Sequence, residues 1–184
     1  MISEVLNLAE YRINSNELAD YCPVLRAGDR VLLSGTVYTA RDAAHKRIMQ
    51  LIDDGAAPPF NINGSCVYYA GPTPTPPNCA IGSCGPTTSS RMDRFAPRLY
   101  DMGMTATIGK GGRDDSVCDA ICRNSAVYLC AVGGAGALAA QCIKQCDVIA
   151  FDDLGCESVK RLEFCEFPLI VAIDCNGGNL FKSH

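Results

Sequence analysis

Gly85-Pro86-Thr87-Thr88-Ser89-Ser90-Arg91-Met92-Asp93 places a tight turn, four hydroxyls and an arginine within nine residues. Gly85-Pro86 is the turn signal. Ser90 with Asp93 three residues later fits a capping box, so the pattern predicts a helix that begins near Thr88 to Ser90. Met92, Phe95, Ala96 and Leu99 then recur at i, i+3, i+4 and i+7, the period of a helix buried on one face. Such a helix is anchored by its body and free at its first turn. Unsatisfied N–H groups and the positive end of the dipole suit that turn to an anion, and Arg91 can grip a carboxylate through two parallel hydrogen bonds. Hydroxyl-rich caps also open helices that bind nothing, so the stretch takes its meaning from its surroundings.

The same outline occurs upstream. Val31 to Tyr38 reads as a strand, Thr39 with Asp42 as a second capping box, and Ala44, Ile48, Leu51 and Ile52 as the inner face of a helix. That helix is ended by Asp53-Asp54-Gly55 and cannot continue through Pro58-Pro59. Arg41 lies in its first turn. His45, one turn further on the same side, reads as an interfacial or structural histidine before a proton carrier. Residues 1–27 carry little pattern beyond a turn at Asn14 to Asn16 ahead of Glu17 to Tyr21.

Downstream, Cys66 to Ala70 is a strand stopped by Gly71-Pro72, and Thr73 to Pro77 is a rigid surface loop. Met104 to Ile108 is a strand that empties into Gly109-Lys110-Gly111-Gly112-Arg113, where glycines admit an anion to the backbone and Lys110 offers a point charge. This is not a P-loop, because Lys110 is followed by Gly111 where a Walker motif has Ser or Thr. A helix is expected from Asp115 to Arg123 and a strand from Ala126 to Val132. Gly134 to Ala139 imitates a dinucleotide fingerprint, with Asp152 at a plausible distance, and supports a rival reading as a nucleotide-dependent oxidoreductase. Small residues at such a turn also serve close packing. The chain closes with a strand Val148 to Phe151, a turn Asp152 to Gly155, a short helix Glu157 to Leu162, a strand Leu169 to Asp174 and a turn Cys175 to Asn179. The expected architecture is mixed α/β, in one domain spanning residues 1–184.

Composition narrows the partners. The 184 residues are 48% hydrophobic and 20% charged, with a net charge of −4 that gives no footprint for nucleic acid and no lysine run for a membrane surface. Ala126 to Ile143 is apolar enough to suggest a membrane span, but Gly133, Gly134 and Gly136 break it into a strand, a turn and a short helix. Met1 to Glu10 lacks a secretory pattern, so a cytoplasmic protein is expected. Twelve cysteines are therefore expected as reduced thiols. Cys118 with Cys122, and Cys142 with Cys146, are four apart and would share helix faces. No CxxC pair is present, and only His45 and His184 could add imidazoles, so no metal site is assigned to this chain.

Arg41, Arg91 and Lys110 put three cations on three junctions that follow strands, with Thr87 and Thr88 beside them. Two cationic clamps match a small dicarboxylate. Paired catalytic carboxylates and a Ser-His-Asp set are both lacking, so the chain reads as holding a substrate without the means to activate it.

Gly35 to Arg47, with its Arg41-Asp42-Ala43-Ala44-His45-Lys46-Arg47, Tyr68 to Pro72, Gly85 to Asp93 and Ile108 to Gly112 resemble the β-subunit of the class I, iron–sulfur fumarate hydratases. The β-subunit of L(+)-tartrate dehydratase is a close relative of that family, and the resemblance runs from about Gly28 to Phe181. It implies a swivelling β/β/α layered domain whose strand-to-helix junctions form the substrate site. It also implies reversible hydration of fumarate to (S)-malate with a partner α-subunit, which holds a [4Fe-4S] cluster on its own cysteines, and assembly as a homo-oligomer of αβ units. Carried onto this sequence, Arg41, Thr88, Arg91 and Lys110 would bind substrate, Thr87 would be the base, and His45 would support them. Ala43-Ala44 after Asp42, and Asp93 after Met92, favour the fumarase pattern over tartrate dehydratase. Without an α-subunit, the chain would be a non-catalytic dicarboxylate-binding module.

Overall fold

A computed structural model describes residues 9–131, 134 and 136–182. The chain order is β1 (Glu10–Asn14), α1 (Leu18–Tyr21), β2 (Arg30–Thr39), α2 (Asp42–Asp53), β3 (Cys66–Tyr68), α3 (Ala96–Asp101), β4 (Ala106–Gly109), α4 (Asp115–Arg123), β5 (Val127–Cys130), α5 (Gly136–Gln141), β6 (Ile143–Ala150) and β7 (Val159–Ile173). Short 3-10 turns occupy Ser89–Met92 and Asp152–Glu157. The fold is mixed α/β, as expected. Met1 to Leu8, and Val132, Gly133 and Ala135 of the glycine turn, lie outside the described residues.

The strand pairings return on themselves. β2, β3, β4 and β5 run parallel in that order, and β7 lies antiparallel to both β5 and β2, which closes a ring of five strands. β1 adds to β2, and β6 adds to β7. Side chains alternate across the ring. Val31, Leu33 and Val37 join Tyr68, Ile108, Leu129, Leu162 and Phe167 in one buried cluster. Val67, Tyr69 and Tyr128, one residue out of phase, join Ala44, Ile48, Leu99 and Ile121 of the covering helices in another. The result is two β layers around one core and a helical layer around a second. Because β2 to β5 are parallel, their carboxyl ends lie at one edge, and Arg41, Gly71 and Lys110 follow three of them there.

Several expectations are corrected. Glu157 to Leu162 is not a helix: β7 starts at Val159, and its buried Leu162, Phe164 and Phe167 alternate with exposed Arg161, Glu163 and Cys165. Period-two burial wins there over local helix signals. A bulge at Glu166, with φ of 49°, bends this 15-residue strand, and its amide bonds Ser34 Oγ at 2.9 Å. β6 is longer than its predicted Val148 to Phe151, so Cys142 and Cys146 do not share a helix face, whereas Cys118 and Cys122 do lie on α4. The central helix is split into the Ser89–Met92 turn and α3, where Pro97 suits the first turn.

Neither capping box forms. Thr39 Oγ1 instead accepts from Lys160 N at 3.0 Å, and Asp93 turns to Arg113 at 2.6 Å. β1 carried no signal clear enough to be read. All twelve cysteines are free thiols. No helix among the described residues is long and apolar enough to cross a membrane.

Phe167, 2% exposed, stacks on Phe164 with centroids 4.3 Å apart, and Tyr68 meets it edge-on at 5.6 Å. Phe167→Ala empties the centre of the ring and is expected to cost about 3–5 kcal/mol in urea denaturation. A loss under about 1 kcal/mol would show that the ring does not depend on this packing.

Candidate active site

The central stretch is stitched to the carboxyl ends of β3 and β4. Thr87 N donates to Tyr69 O at 2.7 Å, Lys110 N to Thr87 O at 3.2 Å and Ser89 N to Lys110 O at 2.9 Å. Thr88 and Lys110 thus form a parallel bridge, flanked by an antiparallel one between Ala70 and Pro86. Close approach is required here. A Cβ on Gly109 would lie 1.9 Å from Ser89 Oγ, so only glycine lets the two segments meet. Tyr128 Oη lies 2.9 Å from Ser89 Oγ and 2.8 Å from Gly111 O, which fixes both loops from below. Thr87 is half-buried, and Thr88 and Lys110 are exposed. Lys110 makes no ion pair among the described residues.

The two arginines stand on a second, adjoining cluster. Arg41 precedes α2, and its guanidinium fills the space above Gly71, where a Cβ would come within 2.6 Å of Nη1. Its Nη2 lies 3.5 Å from Glu157 Oε1, while Glu157 Oε2 accepts from Ala43 N at 3.0 Å and so satisfies a first-turn amide of α2. Lys160 holds the turn that carries Glu157, donating to Ser158 Oγ at 2.7 Å and Gly155 O at 3.1 Å. Arg91 Nε donates to Asp42 Oδ1 at 3.0 Å, and its Nη2 lies 2.8 Å from Oδ2 without hydrogen-bond alignment. Each arginine therefore already faces a carboxylate, Arg41 at 19% side-chain exposure and Arg91 at 48%.

His45 is buried, stacked on Phe95 and edge-on to Tyr69. Its Nδ1 lies 2.9 Å from Arg41 O; a carbonyl can only accept, so Nδ1 carries the proton and Nε2 is a bare acceptor. Burial pushes its pKa down to about 4 and keeps the ring neutral. Among the described residues, the buried side-chain polar atoms without a hydrogen-bond partner are Arg41 Nε, Asp42 Oδ2 and His45 Nε2. All three belong to the opening of α2. Asp42 Oδ2 is nevertheless in ion-pair contact with Arg91 Nη2 at 2.8 Å, which leaves Arg41 Nε and His45 Nε2, one turn apart, as the unpartnered pair.

The structure thus joins Thr87, Thr88 and Lys110 directly, and joins Arg91 to Arg41 through Asp42 and α2. Asp42 and Glu157, as partners of the arginines, were not read from sequence: Asp42 looked like a cap and Glu157 like the start of a helix. Gly136, from the dinucleotide-like turn, has a packing role. Its carbonyl accepts from Cys84 N at 3.0 Å, and a Cβ there would lie 2.3 Å from Ser83 Oγ. Among the described residues, no group of three or more His, Cys, Asp or Glu side chains could hold a metal ion.

Residues 3–184 match the family described as Fumarase C-terminus. The chain belongs to that family. Fumarate hydratase 2 of Leishmania major is 40% identical to this fumarase C-terminus chain over 157 residues, covering 84% of the chain and 28% of the relative. The anaerobic class I fumarate hydratase of Escherichia coli (strain K12) is 37% identical over 155 residues, 83% of the chain and 28% of the relative. The chain therefore spans just over a quarter of the length of these enzymes. A putative L(+)-tartrate dehydratase subunit beta of Methanocaldococcus jannaschii is 39% identical over 164 residues, covering 86% of the chain and 84% of the relative.

The buried neutral His45 gives a pH test. Its folded pKa, near 4, lies below the 6.5 of a free histidine, so its contribution is complete above pH 6.5 and is lost as pH falls toward 4. Between pH 7 and pH 5 the protein is expected to lose about 2 kcal/mol of stability in urea denaturation, a loss that His45→Phe removes. The same slope in both proteins would place the imidazole in contact with solvent.

Proposed function

We propose that this chain is the carboxylate-binding half of a class I fumarate hydratase, acting with an iron–sulfur α-subunit on fumarate and (S)-malate. The observation that carries the reading is the pair of arginines, Arg41 with its Nε unpartnered and Arg91 paired to Asp42, beside the Thr87–Thr88 strip and its bridge to Lys110. Cations already held in place beside hydroxyl groups make half of a binding site for a carboxylate. The names of the relatives supply the chemistry, and the relative of matching length, named as a subunit beta, supports a separate partner chain.

Fumarate carries a carboxylate at each end. Arg41 and Arg91 lie on one cluster and Lys110 on the other, so the two ends of the substrate are gripped by separately anchored cations. Orientation of this kind contributes several kcal/mol to catalysis, on the order of the ~7–11 kcal/mol available from fixing reactants. Thr88 donates its hydroxyl to substrate, and Thr87 takes the C3 proton of malate as the C2–OH bond breaks. A threonine hydroxyl needs charge nearby to act as a base, and Lys110, bonded to Thr87 through the backbone, brings a cation to the adjoining loop. The [4Fe-4S] cluster of the partner supplies a Lewis acid for the hydroxyl; the described residues of this chain offer no ligand set for it. The working assembly is a homo-oligomer of αβ units.

A second reading, the β-subunit of L(+)-tartrate dehydratase, is favoured by the length match with the archaeal relative. Malate and tartrate differ by one hydroxyl, and the assay separates the two readings. Under anaerobic conditions, fumarate is expected to give malate only when this chain is mixed with a cluster-loaded α-subunit. Arg91→Ala is expected to lower turnover by about 100-fold or more while leaving the circular dichroism unchanged. Near-normal turnover in that variant would refute the role given to Arg91, and activity on tartrate alone would select the second reading.

A further inference from the structure

Arg113 is the buried cation that the chemistry above does not use. Its side chain is 0% exposed and that of Asp93 7%, so Arg113 cannot touch a substrate. Its guanidinium is divided among three segments. Nε donates to Asp93 Oδ1 at 2.6 Å, Nη1 to Thr107 Oγ1 at 3.0 Å and Nη2 to the Tyr69 hydroxyl at 3.4 Å. Its face lies over the Tyr128 ring, 4.9 Å from the centroid, and beside that of Tyr69 at 5.4 Å. Burial pushes the pKa values of both phenols up, so the rings remain neutral and attract the cation through their faces.

Each of these partners also holds part of the site. Asp93 ends the turn that carries Thr88 and Arg91, and its second oxygen accepts from Asp114 N at 2.8 Å. Thr107 belongs to β4, three residues before Lys110. The carbonyl of Tyr69 holds Thr87 N, and the hydroxyl of Tyr128 lies between Ser89 and Gly111. Arg113 itself closes the Lys110 loop. The two substrate loops are therefore assembled around one guanidinium, and the lengths of their mutual bonds are set from beneath.

We propose that Arg113 is a positioning residue, with Asp93 as its counter-ion, and that it fixes the spacing between the Thr87–Thr88 strip and Lys110. A lysine would keep the charge and lose the planar fork that reaches Asp93, Thr107 and Tyr69 at once. A buried ion pair that only stabilised the fold would respond to that change in the unfolding midpoint alone. A positioning pair responds where the loops meet and in the chemistry of the folded enzyme.

The turnover arm of the test rests on the proposed fumarase reading; the exchange arm does not. In the full chain, Arg113→Lys is expected to speed amide hydrogen exchange at Ser89 and Lys110 at least tenfold and to leave Val31 and Leu33 of β2 unchanged. In the αβ complex, the same variant is expected to lower kcat for fumarate at least tenfold per folded enzyme and to raise KM. Asp93→Asn should move all of these in the same direction, and it carries the test if Arg113→Lys does not fold. Exchange at Ser89 and Lys110 within twofold of the unmodified chain, with only a lower unfolding midpoint, would overturn the proposal. If the unmodified complex acts on neither fumarate nor tartrate, the enzymatic reading fails by itself, and exchange alone decides the role of Arg113.

Discussion

The pairing of β7 with β2 along one edge, and with β6 and then β5 along the other, closes the ring on which everything else stands. Without it, the parallel strands β2 to β5 would leave an open edge and a single face to bury. Closure creates an inside, filled by Phe164, Phe167 and Tyr68, and an outside on which α2, α3 and α4 lie. It also fixes the strand ends that carry Arg41, Gly71 and Lys110 at one edge. The candidate site sits on loops, and the position of those loops is a property of the sheet.

The electrostatics of the edge follow a division of labour. Arg113 is fully buried, its charge is matched by Asp93, and Thr107 and Tyr69 accept from its other two nitrogens, so the pair is costly to break, by about 3–5 kcal/mol. Arg41 and Arg91 are partly exposed and face Glu157 and Asp42. At the exposure of Arg91 an ion pair contributes about 1 kcal/mol or less, so in the proposed reading a substrate carboxylate would share or replace that contact at small cost. The carboxylates of Glu157 and Asp42 orient the two guanidiniums. His45, neutral and locked to the Arg41 carbonyl, does the same from below without adding charge.

Much of this was legible in the sequence, and for identifiable reasons. The helix over Asp115 to Arg123 and the strand around Val31 to Tyr38 combine strong periodicity with clear ends, and both were read correctly. The residues of the candidate site were legible as residue types, through the Arg41-Asp42-x-x-His45 and Gly85 to Asp93 stretches. Their geometry was not. Capping boxes were inferred from spacing, but Thr39 and Asp93 are drawn into long-range bonds with Lys160 and Arg113 that no local window contains. Likewise Glu157 to Leu162 has helical composition and strand periodicity, and the ring decides between them. Glu157 as the partner of Arg41 depends on a contact 116 residues away in sequence, which only the closed fold brings about.

The measurement that tests the central claim most directly is a crystal structure of this chain with its cluster-bearing partner and (S)-malate bound. The account predicts both malate carboxylates within hydrogen-bond distance of Arg41, Arg91 and Lys110, with Thr87 Oγ1 facing C3. Malate held by the partner alone, with these side chains turned away and still paired to Glu157 and Asp42, would contradict it.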